Sequence, residues 1–525
     1  MRNKIALLTA LLLLAACLIT VVNAEDAKPI YQLKWATCPP TAPVDMKMVE
    51  EELNKISREK VGVEVNFVYM DEAQLQNSML SGETYDMYFS CAWYNNYNQA
   101  VSAGYFADIT DKVKEWTPAL YASMDEKYWE MAKSSDGRLY GIPVKKDFAP
   151  MNYITYDAKF ARDNGFDIPD KISSWDELTD YLVALKSAME PGEYPVMIGG
   201  EPTGIQSSFD LIDRSIMIGV DFGDTKVKSA FEDEAIVDRM RTMHKWMEMG
   251  LVNPDAATQI KTAIDDHHHH IKFNQSWPGH DYSPTYGYET AKTLYSGPNL
   301  NTDGIQGAMN AFSITLEEDQ ERFKAAMKYQ ELVNTDPEYR DILRYGVPGY
   351  HWNYVDVIQE DGTPGTVVVR TEVGKTNYTV WDFIQGSLPI STIEASQEML
   401  DGTYKLPSLT QWDEYFELIK DAPESAIAGF TFDTSELTNI MTELQVIKEE
   451  YYNRLATGTV DPDIVIPELL EKMNAAGLQD VIAEAQRQVD EYLAVKTAAG
   501  LENVIAEAQA DEYPEDETAA QPAAA

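Results

Sequence analysis

Between Tyr31 and Ser90 the chain switches repeatedly between two hydrophobic periods. LKWAT, EVNFVYM and YDMYFS read as strands, while VDMKMVEEELNKISREKVG and EAQLQNSMLSG between them space their apolar residues as helices do. Strands that alternate with helices in this way form a parallel sheet with helices on both faces. Ligands of such sheets sit outside the carboxyl ends of the strands, where strand order reverses. The third strand runs at that end into Trp93, Tyr94, Asn95, Asn96 and Tyr97. Aromatic planes beside side chains that both donate and accept suit a polar guest that also offers flat apolar faces. Trp93, Tyr94, Asn95 and Tyr97 are therefore candidate ligand contacts; the alternative is that their rings pack under the next helix.

At 525 residues the chain exceeds what one hydrophobic core organises, so two packed lobes are expected. A second α/β unit is read through YPVMIGG, SIMIGVDFG and the helix AIVDRMRTMHKWMEMG, which stops at Gly250 before Asn253 and Pro254. Ser173 or Ser174 is placed to cap a helix starting near Trp175. Amphipathic helices are expected over 317–333, 434–456 and 466–493. AAGLQDVIAEAQRQVDEY (475–492) returns as AAGLENVIAEAQADEY (498–513), a duplicated terminal helix or a docking element. The acidic end is expected to be disordered.

The 86 Asp and Glu against 42 Lys and Arg leave a formal charge of -44. Such a field repels phosphate backbones, which excludes a nucleic-acid partner and favours a neutral or cationic ligand. The amino terminus, MRNKIALLTALLLLAACLITVVNAED, is an export signal with two processing readings. One is cleavage after Ala24; the other is acylation of Cys17 in the lipobox-like LAAC. No later run approaches the roughly 20 apolar residues that span a bilayer. Three cysteines, Cys17, Cys38 and Cys91, rule out a disulfide scaffold. Cys38 and Cys91 each follow a strand, so they are either unpaired thiols or, on neighbouring strands, near enough to meet.

WPGHDY, with Trp277, Asp281 and Tyr282, and YHW, with Trp352, are aromatic runs beside Gly and Pro, hence loops that are candidate contacts. The run His267 to His270 is expected to be a solvated loop, because consecutive side chains diverge too far to converge on one ion. GGEPTGIQ has the glycine spacing of a phosphate loop but Ile205 and Gln206 where Lys and Ser or Thr are required. No GxSxG or HExxH occurs, and no cofactor or metal is expected. Glycoside hydrolysis by a carboxylate pair stays open, since that chemistry needs only two acids at a set separation in space.

Several segments together carry a family resemblance: LSGETYDMYFSCAW, SAGYFADITDKV, DGRLYGIPVKKD with ITYDAKFARDNGFD, SWDELTDYL, KWMEMGLVNPDAAT, ELVNTDPEYRDILRYGVPGYHWNYV, and GFTFDTSELTNIMTELQVIKEEYYNRLATGTVDPD. In that order they resemble the extracellular solute-binding proteins of ABC importers. The oligosaccharide-type branch, with the helical C-terminal region of LipO-like lipoproteins of Gram-positive bacteria, is the nearest pattern. The resemblance implies an α/β chain of the periplasmic-binding-protein type 2 fold, with two lobes joined by hinge strands and a helical C-terminal region. Mapped on the sequence, it implies an export signal over 1–24, a first lobe over 30–148 and 300–345, and a second over 149–299 and 346–500 with the C-terminal helices; 501–525 is left as a disordered acidic tail. It further implies that Asp147 stands where the first hinge crossing enters the cleft, with a surface partnership to Lys145 or Lys146 as the alternative. Trp381 and Gln385 match a region that lines the cleft in the family, with a core position as the alternative for Trp381. The long acidic tail, the repeat and DDHHHHIKFNQSWPGHDY depart from the family pattern.

The function expected on this basis is capture of a carbohydrate, an oligosaccharide by preference, outside the cytoplasm. The partner is a membrane ABC permease, no chemistry is done on the ligand, and the protein is a monomer, secreted or lipid-anchored. Two other classes stay open: an exported carbohydrate-active enzyme using cleft carboxylates, and an adhesion protein docking through its helical tail.

Overall fold

The computed structural model describes residues 29–259 and 270–512, with side chains to residue 498 apart from Asp382. The export signal, Cys17, His267 to His269 and residues 513–525 lie outside the described residues.

The opening alternation folds as its periodicity requires. Strands Tyr31–Thr37, Val63–Tyr69 and Met87–Ser90 are parallel, with Tyr31–Thr37 between the other two. Helix Met46–Val61 buries Met46, Val49, Leu53 and Ser57, one stripe at helical spacing, and ends on left-handed Gly62. Helix Glu72–Leu80 starts from a capping box built by Asp71 and Gln74. The sheet is not wholly parallel. Strand Met309–Phe312 inserts antiparallel between Met87–Ser90 and Gly141–Pro143. It arrives from the other lobe and so needs no crossover helix to enter in that direction.

The second lobe departs further from the expected parallel unit. Its central strand Met151–Asp157 pairs antiparallel with both Lys272–Ser276 and Thr290–Ser296. Ile218–Asp221, from SIMIGVDFG, pairs antiparallel with Phe209–Asp213, and YPVMIGG contributes only bridges at Val196. Helix Glu234–Glu248 forms as read, and Ser174, rather than Ser173, caps the turn at Trp175. Trp175 stacks over Trp246 and packs 4.6 Å from Phe273 at the centre of this lobe.

Two cores result. Trp35, Leu53, Phe89, Ile142, Phe312 and Tyr329 belong to the first, and Ile154, Trp175, Trp246, Phe273, Leu444 and Leu469 to the second. The chain passes between them three times, near 150, near 298 and near 425. The last two passages pair: Leu300 and Ser425 exchange backbone hydrogen bonds with Pro423 and Leu300.

The third passage corrects the expected lobe boundaries. Residues 346–428, read as second lobe, build on the first, where Trp352, Tyr378, Ile384, Trp412 and Tyr415 join the core of Trp35. The reason is tertiary: Asp45 of the first lobe holds His351 and Asn377 at 3.1 and 3.0 Å. Helices Thr438–Ala456, Pro462–Ala475 and Leu478–Glu512 then cover the second lobe through Met441, Leu444, Leu469, Val481 and Ala485. Gly477, with φ +101°, divides the stretch expected as one helix from 466. The tail expected to be disordered from 501 is instead helical to Glu512, because the second repeat carries the same helix-forming AEAQ as the first. Among the described residues no helix is long and apolar enough to cross a membrane.

Candidate functional site

A cleft of about 680 Å³ opens between the lobes. Its first-lobe wall begins with the loop after Met87–Ser90, and hydrogen bonds decide which of the candidate rings face it. Cys91 N–H donates to the Tyr94 carbonyl at 2.9 Å, closing a tight turn. Tyr94 hydroxyl donates to the Met70 carbonyl at 2.9 Å and Asn95 N–H to Glu72 Oε1 at 3.1 Å, so both are drawn back against the fold. Asn95 takes a left-handed φ of +53°, which Asn tolerates better than most residues. Trp93, at the tip, is left 48% exposed and lines the cleft. Its ring lies 5.9 Å from Trp381 and 6.3 Å from Phe383, which stack on each other at an interplanar angle of 10°. The three rings form an aromatic panel of which Trp93 and Phe383 line the cleft.

The floor is made by the lobe crossings. Asp147 accepts from Lys146 Nζ at 2.7 Å and from Gln275 Nε2 of the second lobe at 2.7 Å. Asp147 therefore pairs with Lys146 at the wall of the cleft rather than on the open surface. Asn152, Asn299 and Asn301 add amides beside it. Asn301 Nδ2 donates to Asp210 Oδ1 at 2.9 Å. Burial pushes the Asp210 carboxyl up to about 6, against the hydrogen bonds from Ser425 and Asn301 that favour its charge.

The second-lobe wall carries Glu201, Thr203, Gln206, Phe209 and Arg214. The failed phosphate-loop motif supplies part of it. Gly204, φ +75°, lets this turn approach Asn152 and Tyr295; a Cβ there would stand 2.4 Å from Asn152 Oδ1. Arg214 faces Asp303 at 3.6 Å. Lys146, Arg214 and Arg344 thus balance Asp147, Glu201 and Asp303 around the cleft, although the chain as a whole is strongly acidic.

Of the residues expected from sequence, the structure brings Trp93, Asp147 and Trp277 to this cleft and sets Trp381 beside Trp93. Trp277 spans the lobe junction, stacked on Trp412 at 4.8 Å and donating to Gln411 Oε1. The others lie elsewhere. Tyr94, Asn95 and Tyr97 are buried behind the loop, Tyr97 against Phe106 at 6.1 Å. Trp352 is buried and donates to the Gly346 carbonyl, and Gln385 is buried and donates to the Tyr69 hydroxyl at 3.2 Å. Asp281 and Tyr282 face a separate hollow of about 530 Å³, with Asp281 accepting from Ser283 N–H at 2.9 Å. His270 is a buried side chain whose Nδ1 meets the Tyr194 carbonyl at 2.8 Å. Among the described residues no cluster of three or more His, Cys, Asp or Glu is arranged for a metal. Cys38 and Cys91 are free, buried thiols; burial pushes both up, Cys91 to about 12.

Sequence reasoning missed Glu201, Gln206, Arg214, Asn301, Arg344 and Phe383. The asparagines of PNLNTDG, beside a proline and a glycine, were the one local signal available. The rest reach the cleft only because the lobes meet there.

A two-lobed chain with a polar, ring-walled cleft invites comparison with known families, and residues 42–259 match the one described as bacterial extracellular solute-binding protein. This stretch is similar to bacterial extracellular solute-binding proteins. Behind it, residues 426–494 match a domain of unknown function, DUF3502. The chain is similar to a carbohydrate ABC transporter substrate-binding protein of Streptococcus pneumoniae serotype 4, 25% identical over 457 residues that cover 84% of this chain and 87% of that protein. Among solved structures it is similar to the N-glycan transport solute binding protein of Streptococcus pneumoniae, with TM-score 0.75 and 24% identity over 89% of this chain and all of that one. The same pneumococcal protein in complex with Man1GlcNAc matches with TM-score 0.70 and 23% identity, over 89% of this chain and 100% of that chain. The fold is therefore the two-lobed α/β solute-binding fold with a helical C-terminal region.

Proposed function

We propose that this protein captures a neutral carbohydrate, of oligosaccharide size, outside the cytoplasm and delivers it to an ABC importer by closing its two lobes. The observation that carries this reading is the aromatic panel of Trp93, Trp381 and Phe383 beside the amides and carboxylates of the inter-lobe cleft. Rings suit the C–H faces of a sugar, and Asp147, Asn152, Asn301 and Gln275 supply donors and acceptors for its hydroxyls. The volume falls within the roughly 300–1,000 Å³ usual for small-molecule sites. Balanced charge around the cleft favours an uncharged guest. The carbohydrate named for the pneumococcal relative and the Man1GlcNAc in the complex of the pneumococcal N-glycan transport protein support the ligand class.

In this mechanism the ligand stacks on the first-lobe panel and then recruits the second-lobe wall of Glu201, Gln206 and Arg214. Closure follows because the ligand contacts both walls only in the closed state, and that differential affinity shifts the population. The permease reads the closed form, and the protein acts as a monomer and leaves the sugar unaltered. Calorimetry with a panel of neutral oligosaccharides, followed by product analysis after prolonged incubation, tests this. Saturable binding with intact sugar is expected. Cleaved sugar, or no binding across the panel, overturns it.

A further inference from the structure

The second-lobe wall of the cleft and the C-terminal helices share a polar cluster. Tyr452 stands on helix Thr438–Ala456, inside the stretch that matches the domain of unknown function. Its ring is buried beside Phe231, at 6.2 Å. Its hydroxyl donates to Glu201 Oε2 and accepts from Gln206 Nε2. Gln206 Nε2 also donates to Glu201 Oε2, at 2.6 Å. One carboxylate oxygen is therefore gripped from behind by two donors, while Oε1 meets no hydrogen-bond partner among the described residues. Glu201 and Gln206 line the cleft; Tyr452 does not. Burial holds the Tyr452 phenol well above its ordinary value, so it remains a donor across the physiological range.

An exposed glutamate on a loop loses rotamer freedom when it meets a ligand, and that cost opposes binding. A side chain fixed in advance avoids most of it. We propose that Tyr452 is a positioning residue of the cleft, through which the C-terminal helices fix Glu201 so that Oε1 accepts a hydroxyl of the bound carbohydrate. The ligand in that statement rests on the function proposed above; the positioning is a property of the unliganded protein. It gives the C-terminal helices a part in recognition in addition to covering the second lobe.

The test uses the full-length protein with Tyr452→Phe, Glu201→Gln and the double variant. The first readout needs no ligand. In the parent the turn is closed by Ile205 N–H to the Pro202 carbonyl and Ser207 N–H to the Gly204 carbonyl. Hydrogen exchange at these two amides is expected to rise about fivefold in each single variant, as loss of one net hydrogen bond implies, with strand Tyr31–Thr37 unchanged. Unchanged exchange at both amides overturns the positioning. If Tyr452→Phe instead raises exchange throughout the second lobe, Glu201→Gln, at an exposed position, decides the same comparison.

The second readout is Kd for the tightest-binding oligosaccharide of the panel. Either single variant is expected to weaken it about five- to tenfold, and the double variant no more than the worse single one, because both remove the same arrangement. Additive losses overturn the proposal, since a purely structural Tyr452 would act independently of Glu201. Should no oligosaccharide bind the parent, the carbohydrate reading fails, and the exchange result still decides the positioning.

Discussion

Asp210 places a measurable pH dependence at the join of the two lobes. It sits in strand Phe209–Asp213, 5% exposed, and accepts from Asn301 of one lobe crossing and Ser425 of another. Burial dominates over those hydrogen bonds, and the neighbouring Asp303 adds to it, so the carboxyl rises from its ordinary 3.8 to about 6. That rise is worth about 3 kcal/mol, taking 1.36 kcal/mol for each tenfold change in proton affinity. The folded state holds the proton more tightly than the unfolded chain. Asp210 therefore contributes fully to stability below about pH 4, and the contribution is lost as pH rises through about 6. Asp210→Asn keeps an acceptor for Asn301 and removes the ionisation. Urea unfolding of parent and variant in steps from pH 4 to pH 7 isolates the effect, because the titration of every other group cancels in the difference. The variant should gain on the parent by up to about 3 kcal/mol across that range. Parallel stability profiles would refute the reasoning, and so would a parent that gains on the variant as pH rises.

Trp93→Ala and Tyr94→Ala separate two neighbours that look alike in sequence. The first should weaken oligosaccharide binding by about 1.5–3 kcal/mol with little change in melting temperature; the second should cost about 3–5 kcal/mol of stability in denaturant titrations, because its ring is buried. Gly204→Ala forces a left-handed backbone on alanine and a Cβ onto Asn152 and Tyr295, so a stability loss of about 1–3 kcal/mol is expected by thermal unfolding, together with weaker ligand binding. Cys38 and Cys91, buried with raised thiols, should resist iodoacetamide in the folded protein and react once it is unfolded; rapid labelling under native conditions, read by mass spectrometry, would contradict their burial.

The sequence alone determined what depends on neighbours along the chain. The strand and helix periods from Tyr31 to Ser90, a serine cap before Trp175, a helix that ends ahead of Asn253 and the helical C-terminal region are all local patterns, and the structure has them, choosing Ser174 for the cap and ending the helix at Glu248. The ordered family motifs added the two-lobed fold. Tertiary structure decided the rest. Trp93 faces the cleft while Tyr94 and Tyr97 do not, because Met70 and Glu72, on a separate segment, hold the loop from behind. Residues 346–428 join the first lobe because Asp45 reaches His351 and Asn377. Glu201, Gln206, Arg214 and Asn301 become neighbours only where the lobe crossings converge. Periodicity reports which way a side chain points relative to its own helix or strand; which surface it then meets is set by hydrogen bonds and packing with residues far along the chain.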